Sequence, residues 1–377
     1  MHPPNGLPQD EPQPVPTAGA SALDHQACPP PTRRSAQVAE RPSSPPRVKP
    51  ITEAPSWAGA FGKWLVSNTQ HHANRGFTPP RHVGIDPLEQ LTTVLAAASA
   101  RTSPAVRLPK GADTPLRVRL GRPSWGQRRR PIPSHAVRDV PAIVTAPNLN
   151  RVVVENLSDF DLQRVVSSYP MRDFARRLTQ QNKPVVTYLH TMRGLVGAES
   201  LHERVFLLLA DFHPLVAFVA GQPFTIVWPK GSKPGTHTPD FILVSTSGQP
   251  VVVDVKTRDD RASTYWQDRE PVIRDALAQV GVDYLVWTEM PRRYRINLEN
   301  LTAAQVPAAS VDRWAPAATT LAGAEVSAHQ LASQLDAAGY PYLNAMMLIR
   351  WLLWMHVLKT DMHQLFTPDS MLRAAQR

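Results

Sequence analysis

The chain has 377 residues, of which 42 % are hydrophobic, enough for one or two cores of ordinary domain size. Lysine and arginine total 41 against 31 aspartates and glutamates, so the formal charge at pH 7 is +10. This surplus favours a polyanionic partner such as DNA, although charge alone does not identify one. The single cysteine, Cys28, excludes an internal disulfide and a cysteine-based metal cluster, and it fits a reducing cytoplasm.

Residues 1–100 are predicted to be a Pro-rich and mostly disordered region. Thirteen of the 39 prolines lie within residues 1–50, which have too few large apolar side chains to offset the entropy of ordering. The segment PLEQLTTVLAAAS at 87–99 has helical spacing, but the sequence does not assign it to a fold. The N-terminus lacks the basic start and apolar core of a secretory signal, so we expect a cytoplasmic protein.

Residues 101–150 are predicted to form a basic linker or an arm that contacts DNA. Ten lysines and arginines lie between residues 101 and 140, against two aspartates, and Trp125 lies near the run Arg128–Arg130. Such a segment either follows a phosphate backbone or is a solvated linker, and the sequence favours neither.

Residues 151–298 alternate between helical and strand-like patterns. LSDFDLQRVVSSYPMRDFARRLTQQ and SLHERVFLLLADFHP have helical spacing, and KPVVTYLHTM is strand-like and ends in the turn RGLVGAES. Three strand-like runs follow, LVAFVAGQPFTIVWP, TPDFILVS and VVVDVKTR, and then a helix at about 264–280 and the strand DYLVWTE. This order predicts an α/β domain with one mixed sheet flanked by helices.

Charged residues interrupt the valine-rich strand at residues 251–258. Asp254 and Lys256 point to the same face of this strand, and burying either without a partner costs several kcal/mol. An ordinary ion pair at the strand end is the simplest explanation. However, a turn at Ser247–Gly248 would form a hairpin in which Asp240, after Pro239, lies beside Asp254.

Two neighbouring carboxylates repel each other unless a cation neutralises them. Oxygen ligands without cysteine or paired histidine favour Mg²⁺ or Mn²⁺ over zinc. Glu203, at the start of the helix SLHERVFLLLADF, is a candidate third carboxylate. Its neighbours Leu207 and Ala210 lie outside the apolar stripe that starts at Val205, so Glu203 need not be buried in the core and can face the hairpin. The alternative is a first-turn glutamate that is favoured by the helix dipole. Glu199, in the preceding turn, is the substitute candidate.

The pattern Glu203, Pro239-Asp240 and Asp254-Val255-Lys256 resembles the PD-(D/E)xK nuclease superfamily. The resemblance implies a restriction-endonuclease-like core. Asp240, Asp254 and the Val255 carbonyl would hold a cation that polarises phosphate and activates water. Lys256 would orient that water or stabilise developing charge, and Glu203 would complete the metal shell.

Three longer segments resemble the TnsA-like endonuclease subunit of heteromeric transposases, over about residues 165–377. They are GAESLHERVFLLLADFHPLVAFVAGQPF, DYLVWTEMPRRYRINLENL and NAMMLIRWLLWMHVLKTDMHQLFTPDSMLR. The family implies catalytic roles for Glu203, Asp240 and Lys256. Asp254 occupies the acidic or polar position two residues before the lysine, where the best-known member has glutamine.

The resemblance also implies partners. The subunit would nick 5′ strands at transposon ends, while a DDE-type transposase cuts and joins the 3′ ends. An AAA+ ATPase regulator would contact residues 299–377, expected to form a helical, winged-helix-like domain. The apolar run YLNAMMLIRWLLWMHVL in this domain is short for a membrane span and carries Arg350 and His356, so a buried helix without membrane contact is expected.

Two other functions fit the same residues. The first is a stand-alone restriction-like or repair nuclease without a transposase. The second is a DNA-binding or assembly module whose site is catalytically vestigial.

Overall fold

Residues 87–101, 105–116, 130–174 and 183–375 are described in the structure, which is a computed structural model. These residues lie within the unit His82–Arg377. The predictions for residues 1–86, and for the arginine run next to Trp125 up to residue 129, lie outside the described residues.

Short strands and helices follow one another throughout the described chain. The strands are β1 Ala142–Thr145, β2 Val153–Asn156, β3 Val185–Leu189, β4 Gly194–Ala198, β5 Val216–Gly221, β6 Thr225–Val227, β7 Thr236–His237, β8 Phe241–Ser245, β9 Pro250–Val255, β10 Asp283–Trp287, β11 Val326–Ser327, β12 Leu358–Lys359 and β13 Met371–Ala374. The α-helices are α1 Pro87–Ser99, α2 Leu162–Val166, α3 Leu201–Phe212, α4 Arg258–Ala262, α5 Thr264–Ala278, α6 Arg292–Thr302, α7 Ala308–Leu321, α8 Ala328–Ala337 and α9 Tyr342–Trp354.

Four strands form a mixed sheet at the centre of the fold, in the order β10-β9-β8-β5. Strands β5, β8 and β9 are antiparallel neighbours, and β10 runs parallel to β9. Every residue of β8 and β9 is buried, as is typical of strands that are covered on both faces. The prediction of an α/β fold is therefore confirmed, but the expectation of one mixed sheet was wrong, because the described residues form several sheets.

Different helices cover the two faces of this sheet. Phe206 of α3 packs on Phe241 and Trp287, with ring centroids 5.5 and 5.4 Å apart. The strand register and the alternation of side chains place Asp254 and Tyr284 on the opposite face, where α5 packs. Helix α3 therefore packs on one face of the sheet, and the Asp254 side chain lies on the other.

Helix α1 belongs to this core. It has the predicted bounds, and its side chains Leu91, Leu95 and Ala98 are fully buried. The helix packs against β8, β9 and β10. These residues lie within the region 1–100 predicted to be mostly disordered, because periodicity reveals an apolar face but not the surface that covers it.

A second, antiparallel sheet has the order β2-β1-β6-β7. Its strand β1 starts at Ala142, inside the segment 101–150 that was predicted to be a linker or arm. The run LVAFVAGQPFTIVWP, expected to be one strand, is split between the two sheets. The chain turns at Gln222, whose φ is +48°, and Pro223 cannot donate to a ladder.

Two other local predictions were wrong. The segment RGLVGAES, expected to be a turn, includes strand β4, which pairs with β3 from Gly194 to Ala198. Where one helix was expected over 157–181, the described residues form a 3-10 turn at Leu157–Asp159 and the short helix α2, which Asp161 caps and which ends before Ser167. Ser167, Ser168 and Pro170 do not support a longer helix.

Arginines of the predicted basic arm that the structure describes hold loops together. Arg130 is 5 % exposed and donates to the carbonyl oxygens of Asn148, Leu149 and Pro170 at 2.7, 2.9 and 3.2 Å. Arg138 bonds to the second sheet at Asn156 and Val154. The hydrogen bonds of Arg130 and Arg138 therefore stabilise the fold.

The C-terminal part contains α7, α8 and α9 and a small sheet in the order β11-β13-β12. The apolar run is a buried helix as predicted: α9 buries Leu348, Ile349 and Leu352 completely. Helix α6 crosses the predicted boundary at 298–299 and packs on both α3 and α9. Within the described chain, no helix has the length and apolarity needed to cross a membrane.

Candidate active site

The β8–β9 hairpin brings the two predicted aspartates to the same end of the central sheet. Gly248, with φ +87°, forms the turn, and Phe241 pairs with Val253. The next residues, Asp240 and Asp254, therefore lie opposite each other where β8 begins. The hairpin geometry expected from the sequence is present.

Three oxygen atoms surround the ammonium group of Lys256. Its Nζ lies 2.8 Å from Asp240 Oδ2, 3.0 Å from the Val255 carbonyl oxygen and 3.7 Å from Asp254 Oδ1. It also lies 4.8 Å from the centre of the Trp266 ring. Three of the four groups predicted to hold a metal thus share one cationic neighbour, and Glu203 is the fourth.

Asp254 is completely buried, and its two oxygens have different surroundings. Oδ2 accepts hydrogen bonds from His237 Nε2 at 2.9 Å and Tyr284 Oη at 2.6 Å. Oδ1 has no hydrogen-bond partner in the described structure and faces Lys256. Burial alone would raise the pKa of Asp254, but the charges of His237 and Lys256 outweigh it, so the pKa is lowered and the carboxylate stays ionised.

Asp240 is 13 % exposed and lies between Lys256 and the backbone of β9. Besides the ammonium group, its Oδ2 accepts the Val255 N–H at 2.8 Å. Burial raises the pKa of Asp240; Lys256 opposes this rise and the charge of Asp254 adds to it. The two carboxylates therefore differ: Asp254 is held as an anion, whereas Asp240 is easier to protonate than an ordinary aspartate.

Glu203 lies in the first turn of α3 and is 8 % exposed. Its carboxylate accepts the Glu199 N–H at 2.8 Å and the Ser200 hydroxyl at 3.0 Å, while Ser200 caps the helix. Burial, and next the negative charge of Asp240, raise the pKa of Glu203 to about 8. The expectation that Glu203 need not be buried was wrong, because Leu207 and Ala210 are buried as well as the predicted stripe.

The structure brings three of the four predicted side chains into contact. Glu203, in the first turn of α3, interacts with Asp240 and Lys256 through its charge. Glu199, the substitute candidate, forms an ion pair with Arg172 at 3.0 Å. Among the described residues, no three acidic, histidine or cysteine side chains are grouped closely enough to bind a metal by themselves.

A smaller donor set nevertheless fits a hard cation. Two carboxylate oxygens and a carbonyl oxygen are the ligand types that Mg²⁺ prefers, with water completing its shell. The buried Asp254 Oδ1 has no hydrogen bond, and the group it faces is already a cation. A divalent ion can therefore bind to Asp240, Asp254 and the Val255 carbonyl if the Lys256 ammonium group moves out of its position between them.

A cleft of about 700 Å³ opens onto these residues. Positive side chains among those lining it are Arg130, Arg172, Lys230, Lys256 and Arg269, and the aromatic ones are Trp228, Tyr265 and Trp266. Cations and aromatic rings around two aspartates suit a phosphate-containing ligand that approaches a metal site.

Sequence reasoning missed His237 and Tyr284. His237 ends β7, and Tyr284 lies in β10, paired with Val252. Both contacts depend on which strands become neighbours. For Tyr284, a usable signal was its position inside the apolar strand DYLVW, because its buried hydroxyl group requires a partner. The two-residue strand Thr236–His237 offers no such signal for His237.

No protein-family model matches the chain, and no match is found among the curated proteins. The chemistry of the site is therefore the basis for proposing a function.

Proposed function

We propose that the protein is a Mg²⁺-dependent DNA endonuclease, the TnsA-like subunit of a heteromeric transposase. It would nick 5′ strands at transposon ends together with a DDE-type transposase. The observation that carries this proposal is the convergence of Asp240 Oδ2, Asp254 Oδ1 and the Val255 carbonyl on the Lys256 ammonium group, whose place a divalent cation would take. The basic cleft supports it, because a DNA backbone needs positive charge along its path.

Each residue has a role that follows from its surroundings. A bound Mg²⁺ or Mn²⁺ would polarise a phosphate oxygen and lower the pKa of a water molecule. Asp254, ionised and fixed, supplies a permanent negative charge. Lys256, once released from Asp240, offers an ammonium group to charge that develops on phosphate. Glu203, with a pKa of about 8, can hold or release a proton near neutral pH.

The order of helices and strands supports a more specific proposal about the fold. We infer a restriction-endonuclease-like core from α3 followed by the β5-β8-β9 antiparallel strands and the parallel strand β10. Helices α8 and α9 with the sheet β11-β13-β12 are consistent with a winged-helix-like part, which is proposed to contact an AAA+ ATPase regulator.

A nicking assay tests the proposed function. Purified protein, with a DDE transposase encoded beside its gene, should nick supercoiled DNA carrying the element ends in Mg²⁺ but not in EDTA. Nicking at unrelated sites without the transposase would favour the stand-alone nuclease. Metal-independent DNA binding with no cleavage under any of these conditions would favour the vestigial module.

The cleft also predicts a specific salt dependence. Lys230 is exposed in the cleft and forms no ion pair with any described residue. Lys230→Gln should reduce the slope of log affinity against log salt by about 0.9, as expected for one lost phosphate contact. Fluorescence anisotropy with duplex DNA at several salt concentrations measures the slope.

Lys183→Gln is the matched control. Lys183 is also exposed, but it does not line the cleft. Equal slopes for the two variants would mean that the cleft does not follow the DNA backbone.

A further inference from the structure

Two buried side chains, His237 and Tyr284, donate hydrogen bonds to the Asp254 carboxylate. His237 and Tyr284 both bond to Oδ2, the oxygen that points away from Lys256, at 2.9 and 2.6 Å. Oδ1 keeps its lone pairs unused although it is buried. A carboxylate in an ordinary structural role would share its donors between both oxygens, because unpaired buried acceptors cost free energy.

The donors come from separate parts of the fold. His237 is 7 % exposed and belongs to β7 of the second sheet. Tyr284 is 4 % exposed and belongs to β10 of the central sheet. Tyr284 stands on the same face as Asp254, and Arg274 covers its ring at 5.2 Å. Neither donor can move far, because each is buried within its own sheet.

We propose that His237 and Tyr284 are positioning residues that fix the Asp254 carboxylate so that only Oδ1 is presented to a divalent cation. This inference rests on the proposed metal-dependent function and deepens it. Saturating Oδ2 prevents the carboxylate from rotating about its Cβ–Cγ bond. Asp254 is then a ligand with one available oxygen, in a fixed direction, before any ion arrives.

This arrangement has a physical benefit for a site with few protein ligands. Partners in the outer shell that orient a ligand change metal affinity or activity by about 10- to 100-fold when they are removed. Here Asp240 already bonds to the β9 backbone through Val255. With Asp254 also fixed, both carboxylates are preorganised, and only Lys256 must move.

Tyr284→Phe is the sharpest test, since it removes one hydroxyl group and leaves the packed ring. We expect Mn²⁺ binding to the full chain, measured by calorimetry without DNA, to weaken by about 10-fold or more. Tyr340→Phe, which removes the hydroxyl from a ring stacked on Trp314 in the C-terminal part, should bind Mn²⁺ like the wild type. Unchanged Mn²⁺ affinity in a folded Tyr284→Phe protein would overturn the proposal.

Variants of His237 separate positioning from a merely structural link between the sheets. His237→Gln keeps a side-chain N–H donor, whereas His237→Leu keeps none. The glutamine variant should retain Mn²⁺ affinity to a large extent, and the leucine variant should lose about 10-fold or more. If both fold, as judged by circular dichroism, and bind Mn²⁺ equally well, the role is structural and the inference fails.

These measurements distinguish the inference from the proposed function. A wild-type protein that nicks DNA, with a Tyr284→Phe variant of normal Mn²⁺ affinity, would overturn the inference alone. A wild-type protein that binds Mn²⁺ in a Tyr284-dependent way but never nicks DNA would overturn the function alone. A wild-type protein that binds no Mn²⁺ would overturn both.

Discussion

Asp240→Asn should reduce Mg²⁺-dependent DNA nicking about a thousandfold while leaving the protein folded. Asp240 Oδ2 is the atom that links Lys256 to the β9 backbone at the point where the cation donors converge. The amide removes the negative charge, so the site can no longer balance a divalent ion, and a loss of this size corresponds to about 4 kcal/mol of transition-state stabilisation. Single-turnover nicking of supercoiled DNA measures the effect.

The fold should tolerate this substitution. Because burial raises the pKa of Asp240, folding disfavours its ionised form, and a neutral side chain avoids that desolvation penalty. The asparagine oxygen can still accept the Val255 N–H. A melting temperature that falls by about 10 °C or more would mean that lost activity reports unfolding.

Asp268→Asn provides a matched control, because Asp268 is exposed on α5 and does not line the cleft. Lys256→Ala should also abolish nicking, but it is a less clean test. It leaves Asp240 and the buried Asp254 without their shared cation, which should lower the free energy of unfolding by about 3–5 kcal/mol. An Asp240→Asn protein that nicks DNA at nearly the wild-type rate would show that the metal site has been assigned wrongly.

The sequence predicted the hairpin well because its information is local. The period-two pattern of TPDFILVS and VVVDVKTR and the turn at Gly248 set the register, and the register sets Asp240 opposite Asp254. The apolar positions of α3 likewise predicted that helix closely, and in the structure Ser200 caps it.

Other features depended on contacts between distant segments, which local patterns do not encode. His237 reaches Asp254 only because β7 joins a second sheet, and that sheet exists because the chain turns at Gln222. Tyr284 reaches the same carboxylate because β10 pairs in parallel with β9 after a helical crossover. The burial of α1 against the sheet is a third example.

Glu203 shows how such packing changes the chemistry of a predicted residue. A first-turn glutamate at a helix N-terminus is usually exposed and ionised. Here the helix is buried on several sides and Asp240 lies close enough to repel it, so the pKa rises to about 8. The sequence identified the residue, but its protonation state required the three-dimensional structure.

Glu203→Gln should stabilise the metal-free protein, and the gain should grow with pH. The pKa of Glu203 rises from 4.5 to about 8 on folding, so between these values the native state binds a proton that the unfolded state has lost. Stability is therefore fully retained below pH 4.5 and falls as the pH approaches 8. Glutamine does not titrate, and its advantage should reach up to about 5 kcal/mol above pH 8.

Urea unfolding of both proteins in EDTA from pH 5 to pH 9 measures this difference. Glutamine can accept the Glu199 N–H and donate to the Ser200 hydroxyl, so the local hydrogen bonds are preserved. Glu89→Gln, in the exposed first turn of α1, is the matched control for replacing a first-turn glutamate by glutamine. A Glu203→Gln advantage that is constant across this range would contradict the raised pKa.

The response of the two proteins to Mg²⁺ tests whether Glu203 also contributes to the metal site. If Glu203 completes the metal shell, Mg²⁺ favours its ionised form and should raise the wild-type melting temperature at pH 8 more than that of Glu203→Gln. The more stable variant should at the same time nick DNA more slowly, since a strained, buried carboxylate is then part of the working site. Equal Mg²⁺ responses would place Glu203 outside the metal shell and leave its burial as a feature of helix packing alone.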